Sequence, residues 1–341
     1  MEIGVRITDE VIGVTKPNVY VTRLLPEPFL AALRERCLVE VNPHDRPLTR
    51  EELLEAVRGR DGIVSLLTDR IDGEVFDAAG PGCKIVANYG VGFNHIDIPA
   101  ATKRGILVCN TPDAVTDATA DMAWALLLSV ARRIVEGDQF TRHQTFKGWS
   151  PMFMMGMEVS GKTVGIIGPG RIGIAFAKRA MGFNMKILYT GNSPKPDFEK
   201  ETGGQFVDLK TLLKESDYVS LHVPLTEKTQ HLIGEAELKL MKKTAILINT
   251  ARGPVVHEKA LVEALQQGEI WGAGLDVFER EPLLEPGLTE LTNVVIPPHL
   301  GTSTMDTRLR MGRMVMENLY AGLDGTKPPH CLNWDEVQQG K

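Results

Sequence analysis

The chain lacks the features that mark several common classes of protein. It has four cysteines among 341 residues, and no two of them stand at the CxxC spacing of zinc or redox motifs: Cys37, Cys83, Cys109 and Cys331. No stretch approaches the roughly 18 uncharged apolar residues of a transmembrane helix, and the segment Met1–Lys16 has no continuous apolar run. We therefore expect buried or half-buried thiols in a reducing compartment, no metal site, no signal peptide and no membrane span, with the cytoplasm as the location.

The chain also has no block of like charges, and its formal net charge is −6. A nucleic acid or an anionic membrane would favour a basic patch, so neither partner is expected. A small anionic substrate is compatible with this balance, because a few local cations and amides can bind one. Hydrophobic residues make up 43% and charged residues 24% of the sequence, which allows two domains to bury cores of their own.

Apolar strands and helices alternate along the chain in two series. The first series has predicted strands at Asn18–Thr22, Leu38–Val41, Gly62–Leu67, Lys84–Asn88 and Ile106–Cys109. Helices are predicted between them, one of which opens on a Thr49–Glu52 capping box. A helix at Ala118–Arg133 and an irregular segment at Gln144–Val159 follow. The second series has predicted strands at Thr163–Ile167, Lys186–Tyr189, Tyr218–Leu221, Ala245–Asn249, Gly272–Asp276 and Val294–Ile296. This alternation predicts an α/β fold with parallel sheets.

The sequence GPGRIG at 168–173 matches the GxGxxG fingerprint of dinucleotide-binding proteins. An apolar strand precedes it, and an amphipathic helix and a further strand follow, which is the context that the fingerprint requires. Gly168 allows the tight turn, Gly170 lets the backbone approach a pyrophosphate, and Gly173 lets helix and strand pack closely. Because a helix N-terminus offers free N–H groups and a positive dipole end, the motif predicts a dinucleotide site.

The end of the strand after this helix indicates which nicotinamide cofactor binds. A site that prefers NAD usually has Asp or Glu there, whereas this chain has Thr190. The following side chains can donate to a 2′-phosphate, and no carboxylate repels it. The predicted contacts are Thr190, Gly191, Asn192, Ser193 and Lys195. We therefore predict a preference for NADP; the usual Arg is absent, with Asn192 in its place, and this leaves use of NAD open.

Three charged or titratable residues follow strand ends in the second series: Arg252, Glu281 and His299. Ligands of open α/β sheets bind beyond the carboxyl ends of the strands, so all three could converge on one site. A histidine can donate a proton to a ketone oxygen near neutral pH, and a carboxylate favours and orients the imidazolium. An arginine holds a substrate carboxylate with paired hydrogen bonds. Their joint placement predicts reduction of a 2-oxo acid.

These motifs resemble those of the D-isomer-specific 2-hydroxyacid dehydrogenase family. The resemblance is carried by NTARG, GLDVFEREP and PPHLGTS, with GPGRIG upstream and NYGVGFNHID further back, and runs from about Val19 to Leu323. Within the family, SLLTDRID at 65–72, the WSP segment at 149–151 and LYTG at 188–191 are most similar to glyoxylate/hydroxypyruvate reductases. The resemblance implies reduction of glyoxylate or hydroxypyruvate to D-2-hydroxy acids by hydride transfer from NADPH, in a homodimer.

The resemblance also implies roles for single residues. His299 is expected as the acid/base, Glu281 as its partner and Arg252 as the substrate clamp. The backbone amides of Val91 and Gly92 are expected to bind the substrate carboxylate, because glycines at 90 and 92 permit close backbone approach. Further cofactor contacts are implied at Arg171, Ile172, Pro224, Thr250, Asp276 and Gly301. For Asp276, expected near the nicotinamide carboxamide, a turn-capping role stays open.

Two apolar residues are candidates for the substrate pocket. Leu67 and Trp149, with Leu66 and Phe153, suggest a small apolar wall that favours a short acid. Trp149 either reaches an active site, that of the partner subunit in a dimer, or is a buried anchor. The expected fold has two doubly wound parallel-sheet domains, Rossmann- and flavodoxin-like, with an interdomain active-site cleft. Residues 1–109 and 301–341 form the expected substrate domain, and residues 110–300 the dinucleotide domain.

Several other functions remain open at this point. Another dehydrogenase of the same class, such as a 2-ketogluconate reductase or a phosphite-type dehydrogenase, would carry the same motifs. A non-catalytic dinucleotide-binding protein like the C-terminal-binding-protein corepressors could retain all three charged residues, although this chain lacks their long disordered tail. A formate-type or phosphoglycerate dehydrogenase fits less well. Turnover of glyoxylate distinguishes an enzyme from a corepressor.

Overall fold

The computed structural model describes residues 16–340, which divide into two units. Unit 1 holds the described residues up to Thr111 and those from Leu309 onward, and unit 2 is Pro112–Arg308. The sequence predicts that the chain passes from the first domain to the second near residue 110 and returns near residue 300. The segment 300–308 groups with unit 2, where the amides of Leu300 and Gly301 donate to Asp276. The expectation that the first fifteen residues are not a signal peptide lies outside the described part of the chain.

Unit 1 is built on five parallel strands. They are β1 (Asn18–Val21), β2 (Leu38–Val41), β3 (Gly62–Ser65), β4 (Ile85–Asn88) and β5 (Leu107–Cys109). Their order in the sheet is β2-β1-β3-β4-β5, which is the flavodoxin-like order. The strand order, not the strand direction, reverses between β1 and β3. The central strands are buried on both faces, since Ile63, Val64, Ile85 and Val86 are fully buried. This is why they read as continuous apolar runs in the sequence.

The helices of unit 1 follow the local sequence signals. They are α1 (Glu27–Arg36), α2 (Arg50–Ala56), α3 (Gly73–Ala79) and α4 (Ile98–Lys103). The predicted capping box is confirmed at the start of α2: Thr49 Oγ1 accepts from the Glu52 N–H, and Glu52 Oε2 accepts from the Thr49 N–H. Strand β3 ends at Ser65, two residues earlier than predicted, because the Leu66 N–H donates to Asp69 instead of continuing the ladder.

Unit 2 is built on seven parallel strands. They are β6 (Thr163–Ile167), β7 (Lys186–Thr190), β8 (Gln205–Phe206), β9 (Tyr218–Leu221), β10 (Ile246–Asn249), β11 (Gly272–Leu275) and β12 (Val294–Val295). Their order is β12-β11-β10-β9-β6-β7-β8, which is the Rossmann arrangement with one further strand at the β12 edge. The order reverses between β6 and β9, and a nucleotide is expected at such a point. The predicted fold class of two parallel α/β sheets is confirmed.

The helices of unit 2 cover both faces of its sheet. They are α5 (Thr116–Ala131), α6 (Ile134–Arg142), α7 (Arg171–Met181), α8 (Pro196–Thr202), α9 (Leu209–Glu215), α10 (Glu235–Leu240) and α11 (Glu258–Gln266), with short 3₁₀ turns at Gly253–Val255 and Leu288–Glu290. The last two helices of the chain are α12 (Met305–Leu323) and α13 (Trp334–Gln339). The segment predicted to be irregular after α6 contains no helix or strand.

Helix α5 is buried along most of its length, as its apolar sequence predicts. The Trp124 ring stacks on Phe176 and Phe183 with centroids 5.1 and 4.6 Å away, and its Nε1–H donates to the Phe176 carbonyl. The helix ends near Arg133, whose φ of 54° lies in the left-handed region. The helix α6 and the strand β8 were not predicted. None of the residues of α6 is buried.

The four cysteines are all free thiols. Cys37, Cys83 and Cys109 are buried free thiols and Cys331 is half-buried, as predicted. Within residues 16–340, no helix has both the length and the apolar character needed to cross a bilayer. In the same range, no group of three or more His, Cys, Asp or Glu side chains could hold a metal ion.

Candidate active site

The turn between β6 and α7 has the geometry of a phosphate-binding loop. Gly168 adopts a φ of 101°, and a Cβ there would lie 2.7 Å from the carbonyl carbon of His222. A Cβ on Gly173 would lie 2.3 Å from the Gly168 oxygen, so only glycine allows α7 to approach β6 this closely. Gly170 caps α7, and nothing lies within 4 Å of where its Cβ would be. The N-terminus of α7 therefore lies at the reversal of strand order, with open space beside Gly170.

The loop after β7 carries the residues predicted to distinguish the two nicotinamide cofactors. The Thr190 side chain is nearly buried, and the residues from Gly191 to Lys195 are exposed. The Tyr189 hydroxyl holds both ends of this loop, because it accepts from the Lys195 N–H and donates to Glu199 Oε1, each at 2.7 Å. The span from Thr190 to Lys195 contains no carboxylate. This loop thus offers hydroxyl, amide and ammonium donors on a fixed backbone.

The turn after β10 holds Arg252 in unit 2. Asn249, the last residue of β10, accepts from the Ala251 N–H and donates to the Arg252 carbonyl, both at 3.0 Å. The guanidinium Nη1 donates to the Ala251 carbonyl at 2.8 Å. Burial lowers the pKa of Arg252 from its ordinary value, and the charge of Glu281 opposes that effect. The arginine stays a cation, and the negative charge of Glu281 stabilises this cationic form.

Glu281 and His299 form a hydrogen-bonded pair. The imidazole Nδ1 lies 2.9 Å from Glu281 Oε2, and the Phe278 N–H donates to Glu281 Oε1 at 3.0 Å. Burial raises the pKa of Glu281, but the hydrogen bond and charge of His299, the Phe278 amide and Arg252 outweigh it and hold the pKa below its ordinary value. Because Nδ1 faces a carboxylate, Nε2 is the ring atom left to exchange a proton with another molecule.

Asp276 holds the loop that carries His299. Its two oxygens accept from the N–H groups of Leu300 and Gly301 at 2.6 and 2.7 Å. His299 itself adopts a φ of 57°, a strained conformation for a residue with a side chain. Burial raises the pKa of Asp276 above its ordinary value, although the two amides act against that rise. The turn-capping role left open by the sequence is therefore present, and the contact to a carboxamide stays a prediction.

In unit 1, the segment predicted to bind a carboxylate follows the end of β4. Val91 and Gly92 are half-buried in a loop without regular structure. Leu67 follows β3 in the same unit, and its side chain is 41% exposed.

The comparisons with known proteins agree with this geometry. Residues 124–301 match the model of the NAD-binding domain of D-isomer-specific 2-hydroxyacid dehydrogenases. A glyoxylate reductase from Thermococcus gammatolerans is 52% identical over 330 residues, which cover 96% of this chain and 98% of that protein. One from Pyrococcus horikoshii is 51% identical over 327 residues, or 95% and 98% of the two chains.

Solved structures have the same fold over nearly the whole chain. A protein from Thermus thermophilus is 47% identical, with a TM-score of 0.86 over 92% of this chain and 99% of its own. An NADPH-dependent glyoxylate/hydroxypyruvate reductase from Sinorhizobium meliloti, in complex with NADP and malonate, is 31% identical, with a TM-score of 0.82 over 95% and 98% of the two chains.

The chain belongs to the D-isomer-specific 2-hydroxyacid dehydrogenase family. The resemblance inferred from the motifs is thereby confirmed. The matched NAD-binding domain lies wholly within unit 2, the unit that contains the GxGxxG turn and the Glu281–His299 pair.

The residues of unit 2 fit the nicotinamide dinucleotide of this family. Thr250 is 8% exposed, and its Oγ1 is buried with no hydrogen-bond partner in the described part of the chain. A bound polar group could satisfy it. The N-terminus of α7 fits a pyrophosphate, because the N–H groups and the positive dipole end of a helix favour an anion.

The other residues predicted to contact the cofactor follow the ends of β6, β9 and β12. Pro224 is exposed on the segment after β9. Ile172 is half-buried in the first turn of α7, beside Arg171, which is exposed and forms an ion pair with Asp113. The Gly301 amide is engaged by Asp276, as described above.

The apolar wall predicted from the sequence stays a prediction. Trp149 is 84% exposed, so the alternative of a buried anchor within its own chain is wrong. Phe153 packs on Phe140 and Phe146, with centroids 5.2 and 6.2 Å away. Periodicity could not foresee this, because the segment between α6 and β6 has no regular structure.

Two functional candidates were missed by the sequence analysis. Asn249 holds the turn that carries Arg252. The sequence feature that could have revealed it is a side-chain amide at the carboxyl end of an apolar strand. His222 lies behind the glycine turn, where its Nε2 is 2.9 Å from Ser220 Oγ and its Nδ1 is buried without a partner in the described residues. Burial lowers the pKa of His222 to about 3, so it is neutral at physiological pH.

Proposed function

We propose that this protein reduces glyoxylate and hydroxypyruvate to 2-hydroxy acids, of D configuration where the product is chiral, with NADPH as the hydride donor. The observation that carries the proposal is the hydrogen bond between Glu281 and His299, which leaves His299 Nε2 to deliver a proton. The names of the relatives support the substrate class, since proteins about half identical over nearly the whole chain are glyoxylate reductases.

The residues of unit 2 divide the chemistry among them. The cofactor, when bound, supplies a hydride from the C4 atom of its nicotinamide ring. His299 donates the proton that the carbonyl oxygen needs as the hydride reaches the carbonyl carbon. Glu281 keeps the imidazole oriented and offsets its positive charge before the proton leaves. Asp276 keeps the backbone on the C-terminal side of His299 in place, so the imidazole does not have to reorganise.

The substrate carboxylate is assigned to Arg252 and to the loop of unit 1. Arg252 is cationic and half-buried, which strengthens its pairing with an anion. The amides of Val91 and Gly92 are the proposed neutral donors. A substrate that lacks a carboxylate would leave these donors without an acceptor, so we expect poor turnover of simple ketones and aldehydes.

The cofactor preference is assigned to the loop after β7. Thr190, Asn192, Ser193 and Lys195 are proposed to donate to the 2′-phosphate of NADPH. The absence of a carboxylate from this loop supports the proposal, because Asp or Glu at the position of Thr190 would repel a phosphate.

Steady-state assays test the substrate and the cofactor together. Oxidation of NADPH and NADH is followed with glyoxylate, hydroxypyruvate, pyruvate and 2-ketogluconate, and NAD(P) reduction is followed with phosphite. We expect the highest kcat/KM with glyoxylate or hydroxypyruvate and NADPH. A higher kcat/KM with NADH would contradict the cofactor assignment, and turnover confined to 2-ketogluconate or phosphite would contradict the substrate assignment. Very slow turnover of every substrate would favour a corepressor-like role.

We also propose that the protein acts as a homodimer. Several apolar side chains between α6 and β6 are exposed, which is unusual for a surface without a partner. They are Phe146, Trp149, Met152, Phe153 and Met155. Light scattering on a gel-filtration column would report a mass near twice 37.5 kDa if a second copy covers them. A monomer at micromolar concentration would contradict the proposal.

A further inference from the structure

Three consecutive carbonyl groups of the unit 1 loop are held by asparagine side chains. Asn88, the last residue of β4, donates from Nδ2 to the carbonyls of Gly90 and Gly92 at 3.0 and 2.9 Å. Asn110, just beyond β5, donates from Nδ2 to the carbonyl of Val91 at 2.8 Å. Both asparagines are buried, with 0% and 6% of their surface exposed. The carbonyl side of this loop is therefore fully engaged by protein donors.

Further contacts hold the side chain of Asn88 and the backbone of Asn110. Asn88 Oδ1 lies 3.1 Å from His95 Nε2, and since this oxygen can only accept, the assignment of nitrogen and oxygen in the amide is consistent with its two bonds to carbonyls. The Asn110 backbone is held by Asn318, whose Nδ2 donates to the Asn110 carbonyl at 3.0 Å, and by its own N–H, which donates to the His330 carbonyl. These backbone contacts do not depend on the Asn110 side chain.

A planar trans peptide links each carbonyl to the N–H that follows it. In such a unit the C=O and the next N–H point in opposite directions, so fixing one direction fixes the other. The bond from Asn88 to the Gly90 carbonyl therefore sets the direction of the Val91 N–H. The bond from Asn110 to the Val91 carbonyl sets the direction of the Gly92 N–H. Neither N–H donates to an acceptor within residues 16–340.

We propose that Asn88 and Asn110 are positioning residues that aim the Val91 and Gly92 amides at the substrate carboxylate. The inference rests on the proposed function, which supplies a substrate with a carboxylate. If either peptide turned over, a carbonyl oxygen would face the anion in place of an N–H donor and would repel it. Asn110 is the sharper of the two, because the Gly90 carbonyl also accepts from the Thr111 N–H at 3.1 Å, whereas the Val91 carbonyl has no second donor among the described residues.

The alternative is that these asparagines only stabilise the fold, and a matched variant separates the two roles. Asn42 is 1% exposed, and its Nδ2 donates to the carbonyls of Thr22 and Arg46 at 2.9 and 3.0 Å. It lies in the same unit and has the same chemistry, but it does not touch the Val91–Gly92 loop. Asn42→Ala should therefore lower stability as Asn110→Ala does and leave substrate affinity unchanged.

The experiment compares Asn110→Ala and Asn42→Ala with the wild-type protein. For Asn110→Ala we expect the KM for glyoxylate to rise about tenfold or more, as for one misdirected donor to an anion, with the KM for NADPH within about twofold. For Asn42→Ala we expect both KM values to be unchanged. Thermal unfolding by circular dichroism reports the stability of each variant. If Asn110→Ala does not fold, Asn110→Leu, which keeps the branching of the side chain and lacks the donor, is measured in the same way.

Two results would overturn the inference. An unchanged KM for glyoxylate in the Asn110 variant would do so, and so would equal rises in both variants. Failure of the proposed function is recognised separately, because the wild-type protein would then turn over no 2-oxo acid. Wild-type turnover with an unaffected Asn110 variant contradicts only the role of the asparagines.

Discussion

Replacing Glu281 with Gln removes one charge from the candidate active site and almost no volume. The side-chain carbonyl of the Glu281→Gln variant can still accept from the Phe278 N–H, so the backbone of the turn is kept. The change deletes the negative charge that lies 2.9 Å from His299 Nδ1. The imidazolium that must form during catalysis then has no carboxylate partner.

The distance sets the size of the effect. Two unit charges 2.9 Å apart attract by ~1.4 kcal/mol at the dielectric constant of water and by ~6 kcal/mol at an effective value of ~20. The two side chains are 27% and 30% exposed, so solvent screens part of this attraction. We expect a loss of about 2–3 kcal/mol, which lowers kcat for glyoxylate reduction by about 30- to 150-fold. The KM for NADPH should change little.

A second His–Glu pair provides the control. His231 Nε2 lies 2.6 Å from Glu279 Oε1, with side chains 37% and 24% exposed, and neither residue is assigned a role in the reaction. Glu279→Gln should leave kcat within about twofold of the wild type, since a substitution lowers kcat when it removes an interaction that is made in the transition state. Equal losses in the two variants would show that the effect of Glu281→Gln is structural, and an unchanged kcat in Glu281→Gln would refute the electrostatic role.

The pH dependence of this effect follows from the state of Glu281. Its pKa is held below the ordinary value, so the carboxylate is ionised at neutral pH and its contribution is complete there. The contribution is lost only as the pH falls through the lowered pKa. We therefore expect the loss of activity in Glu281→Gln to be present at about pH 7 to 8, where Glu281 of the wild type is ionised. Wild-type activity of the variant at about pH 7 to 8 would contradict the assignment.

Three further predictions concern other parts of the molecule. Gly168→Ala should lower the free energy of unfolding in urea by roughly 2–4 kcal/mol, because its Cβ would meet the His222 backbone at a positive φ; unchanged stability would contradict this. Thr190→Glu should lower the ratio of kcat/KM with NADPH to that with NADH by about tenfold or more through repulsion of the 2′-phosphate, and an unaltered ratio would contradict the NADP assignment. Hydrogen bonds from Arg46 and the Thr49 amide lower the pKa of Glu52 to about 2, so the stability difference between wild type and Glu52→Gln should be complete above about pH 4.5 and disappear as the pH falls through about 2; a difference that does not depend on pH would contradict this.

Much of the candidate site could be predicted from residue order because its chemistry sits at strand ends. Parallel strands buried on both faces read as apolar runs, and the residues that follow them share one edge of a sheet. Arg252, Glu281 and His299 were all found in this way, and the resemblance to a family implied the role of each. The carboxylate contact between Glu281 and His299 follows from this placement and has the expected geometry.

Other contacts could not be foreseen because they join distant segments. The bond from Asn110 to the Val91 carbonyl links the residues that follow two neighbouring strands, and nothing local distinguishes Asn110 from any other polar residue after a strand. The same holds for Asp276, whose capping role was left open by the sequence and is shown only by the N–H groups of Leu300 and Gly301 that donate to its carboxylate. Its contact with a cofactor stays a prediction.

The sequence by itself determined the two α/β series, the glycine turn and the residue types that any hydride-transfer site of this kind needs. Those properties depend on local backbone freedom and on side-chain chemistry, both of which are written in short stretches of chain. Only the tertiary structure decided the order of the strands, the position of Asn249 under the arginine turn and the direction in which the Val91 and Gly92 amides point. These depend on which segments become neighbours after folding, and a peptide plane 19 residues away from the asparagine that orients it leaves no local pattern.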